Sequence, residues 1–177
     1  IRDLSTSPAI RSNFPPTGML YVSAYLKRHC DVQTRLFDYC GVPEGHYESI
    51  DEMMRDFAPD IVGIATFTTL WYDIVQIAKH VRKTFPQAKI VLGGKHVEAY
   101  PIESLGHSFI DYLVLGEGEK PMRALVDALE AESDPPEQPG LWFKRGDAIV
   151  EGGRAERNQA LDDLPFPDRS MVEAQNY

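Results

Sequence analysis

Apolar positions follow two rhythms along the chain. Four stretches repeat at intervals of three and four residues, the spacing of one helix face. They are 17–29 (TGMLYVSAYLKRH, with Met19, Val22 and Leu26), 48–57 (with Ile50, Met53, Met54 and Phe57), 71–85 (with Ile74, Ile77, Ala78, Val81 and Phe85) and 120–132 (with Met122, Leu125, Val126 and Leu129). Among them lie strand-type runs: VQTRLFDY at 32–39, DIVGIATF at 60–67, AKIVLGG at 88–94 and DYLVLGEGE at 111–119. Pro15 and Pro16 precede the first helix, while Pro59 and Pro86 close the second and third ahead of the strands that follow them. Between the glycines at 93–94 and Asp111 the pattern reads as a loop.

Unbroken apolar strands alternating with helices imply a parallel sheet buried on both faces. The expected fold class is therefore α/β: a doubly wound, flavodoxin-like or Rossmann-like, mostly parallel sheet with helices on both faces. IRDLS is short and charged for a first central strand, so that strand is expected to start upstream of residue 1. The acidic, proline-rich SDPPEQPG at 133–140 ends the repeating unit. LWFKRGDAIVEGG then reads as a C-terminal β-hairpin turning at Arg145-Gly146-Asp147, and LDDLPFPDR reads as a stiff linker. The expected division is a ligand-binding domain over 1–139 and a hairpin and linker over 140–177.

Composition narrows the function. With 18 basic against 27 acidic side chains and a net charge of -9, the chain would repel a phosphate backbone, which argues against nucleic acid as a partner. No apolar run approaches the ~20 residues that span a bilayer, and no secretory pattern opens the sequence, so the expectation is a soluble cytoplasmic protein. Cys30 and Cys40 fit neither a disulfide framework nor a metal cluster, and no paired-histidine spacing occurs. No metal ligand and no catalytic residue is assigned.

In an open parallel sheet, ligands bind beyond the carboxyl ends of the strands. Three such ends carry small or hydroxylated residues: TFTTLW at 66–71, GGKH at 93–96 and GEGE at 116–119. Glycine makes tight turns in any fold, but three bare ends on one sheet edge point to a broad, open rim. Neither lysine-containing turn satisfies the phosphate-loop spacing, and GEGEKP has proline where the dinucleotide fingerprint needs its third glycine. A single histidine just past a strand, His96, reads as a polar residue bonded to backbone. Glu117 and Glu119 have a spacing that suits acid and base work on an extended segment, but also suits the start of the helix that follows.

PPTGMLYVSAYLK, PDIVGIATFT, KIVLGGKHVEAYP, DYLVLGEGE and LDDLPFPDR, in this order, resemble the N-terminal cobalamin-binding domain of class B radical S-adenosylmethionine enzymes, a group that includes cobalamin-dependent methylases and the anaerobic magnesium-protoporphyrin monomethyl ester cyclase. The resemblance covers almost the whole chain. It implies cobalamin as the cofactor, held by Pro16, Thr17, Gly18, Thr66, Phe67, Thr68, Gly93, Gly94, Lys95, Gly116, Glu117 and Gly118. It also implies a C-terminal radical S-adenosylmethionine domain in cis, which would carry the four-iron cluster and S-adenosylmethionine through a CxxxCxxC motif that this sequence lacks. Residues 5–18 contain no histidine and so lack the DxHxxG loop by which other cobalamin domains ligate cobalt from below. On this reading the chain alone holds a cofactor without generating a radical, and its parent performs methyl transfer or oxidative cyclisation.

Two other classes share the same sheet. A flavin-binding or receiver-type module is one, although a receiver needs an aspartate at a central strand end and only Asp3 offers itself. The other is an interaction domain with an empty pocket, contacting its partner through the hairpin and linker.

Overall fold

The computed structural model describes residues 14–38 and 50–172, and the expected first strand at IRDLS lies outside them. The chain divides into two compact units, Pro59–Leu161 and a second made of Ile1–Ala58 with Asp162–Tyr177.

In the Pro59–Leu161 unit, β1 (Ile61–Thr66), β2 (Lys89–Gly94), β3 (Tyr112–Val114), β4 (Leu141–Arg145) and β5 (Ala148–Glu151) form one sheet in that order. The first three strands run parallel, while β4 pairs antiparallel with both β3 and β5, so the α/β expectation takes the form of a mixed sheet. The hairpin turn carries Gly146 at φ 61, a left-handed conformation that glycine adopts without a steric penalty. Helices α3 (Trp71–Thr84) and α6 (Glu119–Glu130) fall close to their predicted spans.

Alternation along β2 sets the two faces of the core. Val91 points one way with Val114, Leu141 and Phe143, and Leu125 of α6 closes over them with Met122 and Leu129 at the margin. Ile90 and Leu92 point the other way and are also fully buried, so both faces are covered. Each such aliphatic side chain contributes about 1.5–3 kcal/mol by leaving water.

The residues after β2 are not a loop. They form two short helices, α4 (Lys95–Ala99) and α5 (Pro101–Gly106), the second opened by proline at its first turn. Helices of five and six residues show too few turns for a periodic stripe, so the sequence pattern missed them. β1 also departs from expectation: Gly63 and Ala65 are exposed, and the strand is half-covered instead of buried. β1 pairs with β2 and with no other described strand.

In the other unit, α1 (Thr17–His29) and α2 (Ile50–Phe57) match the predicted helices. The buried stripe of α1 is Leu20, Ser23, Tyr25 and Leu26, while Met19 and Val22 are only half-buried. A serine stands in that stripe because its hydroxyl is satisfied, 2.6 Å from the Thr34 hydroxyl and 3.0 Å from the Met171 sulfur. Residues 32–38 are assigned to no strand, although their exposure alternates as a strand's would from 31 to 36; none of the described residues forms a ladder with them. The proline-stiffened segment docks on α1, where Lys27 pairs with Asp168 at 2.7 Å and the Asp168 amide donates to the Leu20 carbonyl at 3.1 Å. Hydrogen bonds from Lys27 and Ser170 hold the Asp168 carboxyl below its ordinary range. No described helix is long and apolar enough to cross a membrane.

One polar cluster ties α3 to the sheet. Arg82 donates to the carbonyls of Pro86 and Ala88 at 2.8 and 3.0 Å and pairs with Asp111, which also accepts the Ile90 amide at 2.7 Å. Arg82→Ala is expected to lower stability to urea by about 2 kcal/mol, and Arg82→Lys to recover less than half, because a point ammonium cannot reproduce the planar fork.

Candidate functional site

The ends of β1 and β2 are locked to each other. Thr66 is completely buried, and its hydroxyl donates to the Gly93 carbonyl at 2.9 Å. Parallel register sets Ala65 against Gly93 and Thr66 against Gly94. Gly94 lies at φ +111, and a Cβ there would come within 2.7 Å of the Thr66 carbonyl oxygen and 3.0 Å of its nitrogen. Glycine at 94 is therefore demanded twice, by backbone conformation and by close approach.

Around this lock the rim is open. Phe67 is 53% exposed, and Thr68, Gly94 and Lys95 are exposed beside it. By register and alternation Gly63, Ala65 and Gly93 share one sheet face, where a Cβ on Gly63 would meet nothing within 4 Å. Gly63 and Ala65 are not legible as site residues in the sequence, because an unbroken apolar run reads as a buried strand. Their alternation as small residues in IVGIAT was the available signal.

Lys95 is paired with Glu98 at 3.1 Å, and Arg154 reaches the same carboxylate at 3.4 Å. His96 is bonded not to backbone but to a hydroxyl: its Nδ1 lies 3.3 Å from Thr68 Oγ1. Its ring stacks on Trp71, with centroids 3.9 Å apart. Thr68 belongs to the turn after β1, Trp71 opens α3 directly behind it and His96 belongs to the helix after β2, so these side chains join the two rim turns a second time.

The third strand end is built differently. A Cβ on Gly116 would meet the Ala155 carbonyl oxygen at 2.7 Å and Arg154 Cγ at 2.9 Å, so its bareness makes room for the segment that follows β5. That segment is held by the Ala155 amide, which donates to the Leu115 carbonyl at 2.8 Å. Glu117 is exposed and Gly118 half-buried, and Glu119 opens α6 in a buried position. Burial pushes the Glu119 carboxyl above its ordinary value, its own backbone amide pulls it back and the charge of Glu117 raises it further. Of the other predicted residues, Pro16, Thr17 and Gly18 open α1 in the other unit, where the Pro16 carbonyl accepts the Met19 amide at 2.9 Å. Among the described residues no cluster of histidine, cysteine or carboxylate side chains has the makings of a metal site.

The sequence matches the family described as B12 binding domain over residues 9–126. The chain belongs to that family. It is 29% identical to an uncharacterized methyltransferase of Pyrococcus horikoshii, over 92% of this chain and 35% of that protein. It is 30% identical to the anaerobic magnesium-protoporphyrin IX monomethyl ester cyclase of Cereibacter sphaeroides, over 95% of this chain and 28% of the cyclase. The chain thus spans about a third of the length of these relatives. The fold is similar to that of OxsB, a cobalamin-dependent S-adenosylmethionine radical enzyme solved with aqua-cobalamin and S-adenosylmethionine bound, with a TM-score of 0.65, 20% identity, and 89% of this chain and 22% of OxsB covered. The family match favours a B12 domain over the flavin and receiver alternatives.

Two substitutions separate the lock from ordinary turns. Gly94→Ala is expected to cost about 2 kcal/mol or more in urea unfolding, whereas Gly106→Ala, which meets nothing within 4 Å, stays within ~0.5 kcal/mol of the parent. Glu119 gives a pH signature. Its folded pKa lies above the ordinary 4.5, so the folded chain holds the extra proton between those values and stability falls as pH rises through that window. Glu119→Gln should raise the thermal midpoint at pH 7, and the difference should vanish below about pH 4.

Proposed function

We propose that this B12 domain binds cobalamin at the rim formed by Thr66, Phe67 and Thr68 with Gly93, Gly94 and Lys95, flanked by Glu117 and Gly118. The observation that carries this reading is the interlocked pair of strand ends: it fixes a bare backbone in place and leaves an aromatic ring, a hydroxyl and a lysine exposed around it. That set fits the group. A corrin is a broad, largely apolar macrocycle with amide-tipped arms and a phosphate-linked nucleotide tail, and it calls for a flat surface, hydrogen-bond partners and close backbone approach in one place.

The residues divide the work. Phe67 and the exposed face at Gly63 and Ala65 offer apolar area without bulk. Thr68 and the backbone of Gly94 and Lys95 offer donors and acceptors, and buried Thr66 keeps both turns at the spacing where those groups converge. When bound, cobalamin supplies a cobalt centre able to accept and hand on a methyl group. The sequence of residues 5–18 holds no histidine that could ligate such a centre.

We read the parent as a soluble, cytoplasmic radical S-adenosylmethionine enzyme, a methyltransferase or cyclase, in which the segment from 140 onward leads to a domain holding the iron–sulfur cluster and S-adenosylmethionine. What supports this is the resemblance of LDDLPFPDR together with relatives that are a methyltransferase and a cyclase and are about three times as long. The division of labour would be a holder here and radical chemistry there.

The test uses hydroxocobalamin mixed with the purified chain and passed through a desalting column. About one corrinoid per chain should be retained in the visible spectrum, and none would count against the reading. Gly93→Ala should fold normally, since its Cβ meets only ordinary contacts with Val114 at 3.5 and 3.9 Å, yet bind several-fold more weakly by crowding the bare backbone.

A further inference from the structure

His96 is 3% exposed, and its Nε2 is buried with no hydrogen-bond partner. A buried polar atom left unpaired is costly and rare, and here it sits in the side chain that joins the two rim turns. Nδ1 engages the Thr68 hydroxyl at 3.3 Å, one ring face lies on Trp71 at 3.9 Å, and Tyr100 leans in at 5.2 Å. The surroundings of the ring are aromatic on two sides.

A neutral imidazole fits this setting. It donates from Nδ1 to the Thr68 oxygen and leaves only a lone pair at Nε2, the less costly of the two atoms to strand. The cation does not fit, because it carries an N–H on both nitrogens and Nε2 faces no acceptor. We propose that neutral His96 is a positioning residue that clamps the Thr66–Trp71 turn to the start of α4 in the shape that receives the corrinoid, and that protonation releases the clamp. The proposal rests on the cobalamin reading above.

The charges around the ring agree. Burial holds the His96 pKa below its ordinary 6.5, and the carboxylate of Glu103 on α5 opposes it. The turn and α3 contribute Thr68 and Trp71 and no charge to the ring, and the junction of α4 and α5 contributes neutral Tyr100. Lys95 and Glu98, on α4 itself, are paired with each other. His107 approaches Trp71 at 5.9 Å and is a second histidine beside the stack.

The sign follows from a folded pKa below the unfolded one. The clamp is complete above pH 6.5 and is lost as pH falls through the depressed folded value. Below the depressed pKa, corrinoid affinity should fall about tenfold per pH unit, since one proton must leave for the binding shape to form.

The experiment measures cyanocobalamin binding by equilibrium dialysis at pH 7.5 and 4.5, for the parent chain, His96→Asn and His96→Phe, with far-UV circular dichroism confirming fold. Cyanocobalamin is chosen because its axial ligands do not titrate in this range. Tryptophan fluorescence is titrated in parallel without corrinoid, and Trp71→Phe identifies its source. The parent should bind several-fold more weakly at pH 4.5 than at pH 7.5. His96→Asn, whose amide stands where Nδ1 stood and does not titrate but which gives up the stack on Trp71, should bind more weakly than the parent at pH 7.5 and stay flat with pH. His96→Phe should keep the stack, lose the Thr68 bond and bind weakly and equally at both pH values. A pH-independent parent overturns the proposal, as does a His96→Asn variant with the parent's pH dependence. If the chain takes up no corrinoid at pH 7.5, the functional reading fails instead and the Trp71 titration decides the clamp. A transition below pH 6.5 that disappears in His96→Asn supports it, and the lack of one overturns it.

Discussion

The rim depends on how closely two parallel strands approach at their carboxyl ends. Thr66 and Gly94 are paired in register, with the Thr66 hydroxyl spent on the neighbouring Gly93 carbonyl and no room for a side chain between Gly94 and the Thr66 backbone. Larger side chains here would push the turns apart, and a residue other than glycine would have to leave the φ that sends the chain into α4. The bare backbone that drew attention to KIVLGGKH is thus first a structural requirement. Its second consequence is an open surface. A ligand site of this kind comes from the sheet at low cost, because the same missing Cβ atoms that allow the lock also leave the backbone accessible.

From that lock the other features of the site follow in order. The turn after β1 is held short, which brings Thr68 and Trp71 against the first residues of α4. His96 fills the space and stitches the turns together with one hydrogen bond and one stacked face. Lys95, one residue earlier, faces solvent and is restrained by Glu98, which also meets Arg154 from the segment beyond the hairpin. The third strand end does not share this design. There glycine makes space for protein, so the rim is open at two ends and filled at the third.

How much of this the sequence disclosed depended on how many residues shared a pattern. α3 and α6 were legible because each repeats its apolar spacing over two turns or more, and β2 because Ile90, Val91 and Leu92 run straight into a glycine pair. The hairpin was legible from Arg145-Gly146-Asp147 between two strand-type runs. α4 and α5 were not, being too short to show a period. The half-covered state of β1 was hidden for a different reason: IVGIAT reads as apolar whichever way it faces, and exposure of Gly63 and Ala65 is decided by what lies beside the strand, a property of the fold rather than of the residues. Residues 32–38 show the converse, an alternating pattern without a described ladder partner. For the site, GGKH and TFTT could be found as bare turns, while the role of His96 could not, since nothing in the sequence says that Trp71 and Thr68 lie against it.

The central claim is that the exposed groups around the Thr66–Gly94 lock receive the corrinoid, and amide chemical shifts of the labelled chain titrated with hydroxocobalamin test it most directly. The account predicts that the amides of Phe67, Thr68, Gly94 and Lys95 move in saturable fashion, while that of Gly146 at the tip of the hairpin does not. Shifts confined to the hairpin, or no shifts with corrinoid in large excess over the chain, would contradict it.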